Sequence, residues 1–513
     1  MTMKKMFSLL FSRVVLVAGS MVLQAMILLV MLVKFQEYFA YFYGICTLLS
    51  LVIALYVINS KINPGYKIAW LVPLLLFPIF GGLFYLIFGG RRLSRREQKK
   101  MSAIGRQVIA QMGKDGDTLE AMKEESMDAY LQSRYIERYA YSGVCRNTYS
   151  EYLPLGEVKF QRLIEELEKA RRYIFLEYFI IQEGIMWNTI LEILERKVAQ
   201  GVDVRVIYDD MGCLTTLPKN YHQQLEEKGI QCCVFNPFVP VLSSRFNNRD
   251  HRKIAVIDGY VGFTGGINLA DEYINAYPKH GHWKDTAILL RGDAVWNLTV
   301  MFLSMWNYLR HTDENFDLYR PHVHQPVAEA TDGYVQPFSD APLDMEAVGE
   351  TVYMNILSRA KRYVYITTPY LIVDNEMVTA LSHAAKQGVD VRIITPHIGD
   401  KWFVHASTRA YYEMLVENGV KIYEYTPGFI HAKTFVCDDL YATVGTINMD
   451  YRSLYLHFEC AAWLYHTRSV LQVRDDFLKT QDVSQPITLE WCRQCPWYVR
   501  LIRALLRLFA PLM

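Results

Sequence analysis

One spaced pattern of polar residues occurs twice in the chain: His, Lys two positions on, and Asp five beyond that. The copies are His251, Lys253 and Asp258, then His431, Lys433 and Asp438. A Gly and an Asn follow each at matching offsets, Gly265 and Asn268, then Gly445 and Asn448. Five fixed positions at ~1 in 20 each, over ~500 windows, match by chance roughly 10⁻⁴ times, so a second match marks a duplicated device. Facing each other, the copies supply two imidazoles, two ammoniums and two amides, an inventory suited to phosphodiester chemistry. Lysines and amides stabilise charge developing on phosphoryl oxygens. One imidazole can attack phosphorus, forming a phosphohistidine, while the other protonates the leaving alkoxide and later deprotonates the incoming hydroxyl. The two pKa values should then be pushed apart. No acidic cluster or H-E-x-x-H pattern accompanies the motifs, so neither a metal nor another cofactor is expected. Each copy also carries a carboxylate downstream, Asp285 in His282-Trp-Lys-Asp285 and Glu459 in His457-Phe-Glu459. Either could hold a catalytic imidazole in the required tautomer.

The elements that must carry these groups are strands. Each His-x-Lys leads into an apolar run, Ile254–Ile257 or Thr434–Cys437, and residues two apart on a strand share a face. Asp258-Gly259 signals a hairpin turn, and Asp438-Asp439 a weaker one. Around the motifs, the chain after about residue 140 reads as one α/β unit repeated. Ala170-Arg-Arg-Tyr-Ile-Phe-Leu-Glu177 parallels Ala360-Lys-Arg-Tyr-Val-Tyr-Ile-Thr367, and Gln200-Gly-Val-Asp-Val-Arg-Val-Ile207 parallels Gln387-Gly-Val-Asp-Val-Arg-Ile-Ile394. Short β-rich runs alternate with helical stretches such as Trp187–Ala199 and Glu376–Lys386. This alternation predicts an α/β fold, a mostly parallel sheet with crossover helices in each copy. Gly201 and Gly388 fit helix C-caps. The copies are placed at 140–320 and 346–495, joined by a Pro-rich linker at 321–345.

Composition adds the setting. Basic and acidic residues number 54 and 53, which argues against a nucleic-acid partner. Nine cysteines without regular spacing read as reduced thiols, and the lone Cys492-x-x-Cys495 is not expected to bind zinc. Hydrophobic residues make up 51% of the chain and crowd the N-terminus, predicting a membrane region over 1–90. Candidate spans lie at about 14–33, 39–58 and 68–88, each long enough to cross ~30 Å of hydrocarbon. Cleavage of the first as a signal peptide is not expected, because no A-x-A-like site follows it. The basic stretch opening with Arg91-Arg92 marks a juxtamembrane linker over 91–139. The positive-inside rule puts this linker and the catalytic region in the cytoplasm. Three crossings would place Lys4, Lys5 and Arg13 outside, so two or three spans are expected. The tail, 496–513, sets Arg500, Arg503 and Arg507 among Trp497, Leu501 and Leu505, a basic amphipathic helix able to lie on anionic lipid.

These residues resemble the phospholipase D superfamily, with its paired H-x-K-x4-D motifs, and within it the bacterial cardiolipin synthases. The similarity extends to Asn63-Pro-x-x-Lys67-x-Ala-Trp70, to Thr367-Thr-Pro-Tyr370 and to Val444-Gly-Thr-x-Asn448-Met-Asp450-x-Arg452-Ser453. The resemblance implies two duplicated phospholipase D-like α-β-α sandwich domains, packed face to face behind N-terminal transmembrane helices. It implies a multi-pass protein of the bacterial cell membrane that converts two phosphatidylglycerols to cardiolipin and glycerol. A phospholipase D-type hydrolase or another phosphatidyltransferase is the alternative, and a non-enzymatic membrane scaffold a more distant one. The candidate catalytic residues are His251, Lys253, Asp258, His431, Lys433 and Asp438, with Asn268 and Asn448 on the phosphate and Asp285 and Glu459 orienting the histidines. By resemblance, Asp258 and Asp438 would orient their motifs and His251 would be the nucleophile. Gly266 departs from the family pattern, where Ser is common, and a third crossing exceeds the two commonly found. Oligomeric state stays open.

Overall fold

The computed structural model describes residues 39–89, 116–237, 248–321, 331–342 and 346–512, with isolated helical positions between 26 and 111. The expected first span, 14–33, lies almost wholly outside them, as does the basic stretch after Gly89. The chain divides into two compact units, a small one holding the N-terminal helices with the residues from Leu508 onward, and a large one holding both motifs.

In the small unit the helix Phe39–Asn59 has 21 residues, ~32 Å at 1.5 Å per residue, enough to cross a bilayer. It is the one helix among the described residues with that length and apolarity. The run expected as a single crossing at 68–88 is instead two helices, Pro64–Leu76 and Pro78–Phe88, of 13 and 11 residues. Pro78 cannot donate to the helical ladder, so the chain breaks at Phe77. It folds back so tightly that a Cβ on Gly81 would meet the Pro73 carbonyl oxygen at 2.3 Å. The two pieces pack on the long helix through Ile53, Val57, Trp70 and Leu74, joined by Tyr85 and Leu512.

The large unit contains two sheets built to one plan. In the first copy the strands are β1 (Thr148–Leu153), β2 (Tyr173–Tyr178), β3 (Asp203–Asp209), β4 (Gln231–Phe235), β5 (Lys253–Ile257), β6 (Val261–Gly265), β7 (His282–Lys284) and β8 (Ala287–Gly292). The second copy has β9 (Tyr334–Asp340), β10 (Tyr363–Thr367), β11 (Leu371–Ile372), β12 (Asp390–Pro396), β13 (Lys421–Tyr425), β14 (Gly428–Ile430), β15 (Thr434–Cys437), β16 (Tyr441–Gly445), β17 (Met449–Asp450), β18 (Glu459–Tyr465) and β19 (Ser484–Ile487). The sheet orders are β1-β8-β6-β5-β2-β3-β4 and β9-β18-β16-β15-β10-β12-β13-β19. Strand for strand they correspond, with β19 added at one edge.

The sheets are mixed, not mostly parallel. Helical crossovers make β2, β3 and β4 parallel, and likewise β10, β12 and β13. The motif strands instead enter by hairpins, so β5–β6 and β15–β16 run antiparallel. Asp258 and Gly259 have φ of 54° and 71°, and Asp438 and Asp439 56° and 63°, the left-handed pair that tight hairpins use. Gly201 and Gly388, at φ of 85° and 96°, end their helices in Schellman-type turns as expected. The amides of Val202 and Val389 reach back to the carbonyls of Lys197 and Ala384, each at 3.1 Å.

Two stretches expected as linkers are structured. Residues 321–345 contain β9, an edge strand on β18, and Pro337 is tolerated because an edge needs no donor on its open side. Residues 91–139 contain the helices Gly116–Glu125 and Met127–Tyr139, the second capped by the Ser126 hydroxyl on Ala129 N at 3.3 Å. The two sheets share one core: Phe175, Val256 and Leu290 from the first meet Val436, Val444 and Ala462 from the second. The helix Val295–Arg310 fills it and is apolar almost all round, as a buried helix must be.

Candidate active site

Each motif straddles one strand. His251 and Lys253 stand at the start of β5, and Asp258 lies beyond its far end, ~17 Å away at ~3.3 Å per residue. β15 repeats this with His431, Lys433 and Asp438. The aspartates are thus remote from the histidines and bonded to backbone. Asp258 accepts from the amides of Arg171, Arg172 and Tyr173 at 2.9, 2.7 and 3.0 Å. Asp438 accepts from Lys361, Arg362 and Tyr363 at 2.7, 2.8 and 2.8 Å. They tie the hairpin to the entrance of the neighbouring strand, β2 or β10. Placing them among groups that act on a substrate is therefore corrected by their position.

At the other end the two copies exchange partners. His251 Nδ1 lies 3.0 Å from both carboxylate oxygens of Glu459, which belongs to the second copy. His431 Nδ1 lies 2.6 Å from Asp285 Oδ2, which belongs to the first. Backbone pairing enforces the exchange. β7 pairs with β14, aligning Lys284 with Ile430, and Asp250 bridges Phe458. The amides of His431 and His251 then donate to the carbonyls of Lys284 and Phe458 at 2.7 and 2.9 Å. Asp285 and Glu459 are fully buried. A carboxylate at Nδ1 selects the Nδ1–H tautomer and leaves the Nε2 lone pair free for chemistry.

Lys253 Nζ donates to the His251 carbonyl at 2.6 Å, and Lys433 Nζ donates to that of His431. Asn268 accepts from Ile180 N at 3.0 Å and donates to the Tyr273 hydroxyl at 2.6 Å. The Tyr273 ring lies 5.7 Å from that of His431. Asn448 N donates to Ser453 Oγ at 2.8 Å, which in turn donates to Glu459 Oε1 at 2.5 Å, while Asn448 Oδ1 is buried without a partner among the described residues. The Asn268 side chain thus holds Tyr273 beside His431, and the Asn448 backbone amide holds Ser453 on Glu459.

Sequence reasoning missed Tyr273 and gave no role to Ser453 or to Thr446, whose hydroxyl donates to Glu459 Oε2. A signal existed, because Tyr273 and Ser453 each follow their Asn by five positions. The departure at Gly266 also has a cause. A Cβ there would sit 2.1 Å from Asp285 Oδ1, so the shorter Asp285 and a bare glycine stand where the other copy has Glu459 and Thr446.

Burial pushes His251 down to about 3, with Lys253 and His457 adding and Glu459 opposing. Burial likewise pushes His431 down to about 4, with Lys433 adding and Asp285 opposing. Both are lowered, so burial does not set the two imidazoles on opposite sides of neutrality before substrate enters. Burial lowers Lys253 to about 8 and Lys433 to about 7, opposed by Asp285 and Glu459. Burial acts to raise Glu459, but His251 and His457 override it and hold it well below the usual carboxylate range. An anion arriving here would favour the protonated form of every one of these bases. His251, His457 and Glu459 also offer ligand atoms within 4.8 Å of one another, but a cation there would displace the hydrogen bond that orients His251.

The family model described as "Cardiolipin synthase, PLD-like domain" matches residues 163–282 and 353–480, and "Phospholipase_D-nuclease N-terminal" matches 48–90. The chain is 46% identical over 460 residues to an uncharacterized protein of Streptococcus mutans serotype c, covering 90% of this chain and 99% of that one. It is 37% identical over 473 residues to a cardiolipin synthase of Geobacillus sp. (strain WCH70), covering 91% and 92%. With a cardiolipin synthase of Halalkalibacterium halodurans it shares 35% over 457 residues, covering 88% and 90%. The crystal structure of phosphatidylserine synthase from Haemophilus influenzae Rd KW20 superposes with a TM-score of 0.56 at 15% identity, covering 74% of this chain and 99% of that one, a likeness of fold.

Proposed function

The chain belongs to the cardiolipin synthase family of the phospholipase D superfamily and is an enzyme that transfers phosphatidyl groups, and we propose that both its donor and its acceptor are phosphatidylglycerol. His251 Nε2 attacks phosphorus, and the bond from phosphorus to the leaving glycerol oxygen breaks. His431, which takes up a proton as the anionic phosphate enters, gives that oxygen its proton. The phosphatidyl group now rests on His251, and His431 is neutral. The headgroup hydroxyl of a second phosphatidylglycerol passes its proton to His431 and attacks phosphorus. The nitrogen–phosphorus bond breaks, and cardiolipin leaves. Lys253, Lys433, Asn268 and Asn448 hold the phosphoryl oxygens.

The carboxylates support this division of labour. Glu459 spreads its charge over His251, Thr446 and Ser453. Asp285 gives one oxygen to His431 at 2.6 Å and the other to Thr286 N at 2.7 Å. The less shared carboxylate makes His431 the more basic imidazole, the one suited to carry a proton back and forth. The crossed histidine–carboxylate pairing is the single observation that carries this mechanism.

The enzyme is a membrane protein, and we place its catalytic unit at the cytoplasmic face of a multi-pass N-terminal region. The tail supports contact with lipid. In the helix Trp497–Phe509, Trp497, Tyr498, Leu501, Ile502 and Leu505 form one exposed face. The arginines do not share it as expected. Arg507 stacks on Tyr411 at 5.1 Å, and Arg500 donates to the Arg493 carbonyl at 2.5 Å. An apolar face turned outward, with the arginines on the other side of the helix, suits a helix lying among lipid headgroups.

The test is product identity. Purified enzyme with labelled phosphatidylglycerol should yield cardiolipin and free glycerol without added nucleotide. Phosphatidic acid as the main product would make it a hydrolase, and a requirement for CDP-diacylglycerol would replace the donor. Wild-type enzyme quenched during turnover in alkaline denaturant, where an N–P bond survives, should carry the phosphatidyl group on His251; label on another residue would overturn the assignment.

A further inference from the structure

The exchange that crosses the carboxylates carries a second matched pair, two residues before each of them, in Trp283 and His457. Both side chains are largely buried. The Trp283 ring lies 5.8 Å from that of His431, and the His457 ring 5.5 Å from that of His251. Among the described residues, Trp283 Nε1 and both ring nitrogens of His457 are buried without a hydrogen-bond partner. His457 Nδ1 lies 3.5 Å from Glu459 Oε1, beyond a good hydrogen bond. Around them the catalytic groups are densely bonded, from Asp285 through Glu459 and its hydroxyls. A buried donor left unsatisfied destabilises a fold, and each one retained needs an explanation. Here the two stand at equivalent places beside the two reacting imidazoles.

We propose that Trp283 and His457 form a headgroup subsite, each donating an N–H to an oxygen of the bound lipid. The inference rests on the lipid-transfer reading above. For attack by His251 in line with a leaving oxygen served by His431, the alcohol lies on the His431 side, beside Trp283. Trp283 therefore reads a second hydroxyl of the glycerol headgroup, first on the leaving alcohol and then on the acceptor. His457, on the nucleophile's side, donates to a non-bridging phosphoryl oxygen. A site that hydrogen-bonds a substrate hydroxyl rejects analogues lacking it far better than a site that merely fits it.

Trp283→Phe removes one N–H and little else, and His457→Phe and His457→Asn do so without and with a replacement donor. With glycerol or 1-propanol as free acceptor, wild type should prefer glycerol. Trp283→Phe should cut that preference by roughly tenfold or more, at an unfolding temperature equal to or above that of wild type. His457→Phe should weaken inhibition by orthovanadate by roughly tenfold or more, and His457→Asn by less. Trp283→Phe with unchanged acceptor preference, or His457→Phe with unchanged vanadate affinity, would overturn the subsite on that side. Should His457→Phe fail to fold, the vanadate affinity of His457→Asn against wild type decides that side. The wild-type product from phosphatidylglycerol judges the lipid-transfer reading separately, because vanadate affinity and alcohol preference are measurable in a hydrolase too.

Discussion

The two orienting carboxylates differ in a way that amide substitutions will expose. Asp285 Oδ1 accepts from Thr286 N at 2.7 Å, and a backbone N–H cannot turn round to become an acceptor. In Asp285→Asn the amide oxygen must therefore stay on Thr286, and the NH₂ must face His431 Nδ1. That group donates, so the ring proton moves to Nε2, the atom that has to exchange protons with the alcohol. Glu459 is bonded instead by the hydroxyls of Thr446 and Ser453, which can rotate to accept. His251 Nδ1 is 3.0 Å from either carboxylate oxygen, so Glu459→Gln can keep an oxygen towards it and preserve the tautomer. A forced wrong tautomer costs on the order of 10³–10⁴ in kcat, about 4.1–5.4 kcal/mol. Losing only the charge should cost about 10–100-fold, roughly 1.4–2.7 kcal/mol. Cardiolipin formation by both purified variants in mixed micelles measures the ratio, and ¹⁵N spectra of the histidine rings report the tautomers directly. Equal losses, or a larger loss for Glu459→Gln, would refute the reasoning.

Asp258→Ala and Asp438→Ala should each lower stability by about 2–4 kcal/mol, because three backbone amides lose a charged acceptor; urea unfolding measures this, and kcat of the folded fraction should stay within about threefold. The lysines, lowered to about 7 at Lys433 and about 8 at Lys253, are useful to a phosphoryl group only when charged. So log kcat/KM, which loss of the His431 proton already lowers with rising pH, should fall more steeply as pH rises through 7 to 8, and Lys433→Arg, which stays charged, should move that steepening upward. A flat profile to pH 9 would refute the assignment. Gly266→Ser should displace Asp285 from His431 and lose activity on the order of 10³-fold, whereas Thr446→Ser, which keeps the hydroxyl on Glu459, should retain most of it.

Much of this site could be read before any fold was known, because its chemistry is carried by short local patterns. His-x-Lys heads a strand, a turn follows at Asp258 or Asp438, and the repeats align in strand after strand. What could not be read was pairing between distant segments. Periodicity does not distinguish a strand that enters by a hairpin from one that enters by a crossover, so the sheets were expected to be mostly parallel. The prolines at 321–345 read as a linker, although Pro337 sits on an open edge where the sheet tolerates it. The apolar run at 68–88 has the length of a crossing and two prolines; Pro73 stays inside its helix, and the break falls at Pro78, whose carbonyl accepts from Ser50 Oγ. Asp285 and Glu459 were legible as orienting groups, but nothing local says which histidine each one serves.

That exchange has a consequence for how the enzyme is built. If each carboxylate served its own motif, one copy could fold and hold a competent imidazole alone. Here the His251 amide hangs on the Phe458 carbonyl and the His431 amide on the Lys284 carbonyl. Both the ring and the backbone of each histidine are therefore set by the other copy. Duplication within one chain keeps two such halves together, and it also frees them to diverge. One side pairs Asp285 with Gly266 and Trp283, and the other pairs Glu459 with Thr446 and His457. A strictly two-fold site would give its histidines equal basicity and equal surroundings, while the transfer needs one that attacks phosphorus and one that carries a proton. The differences lie among the groups that bond the carboxylates and flank the rings, so the two roles are assigned without moving either imidazole from its strand.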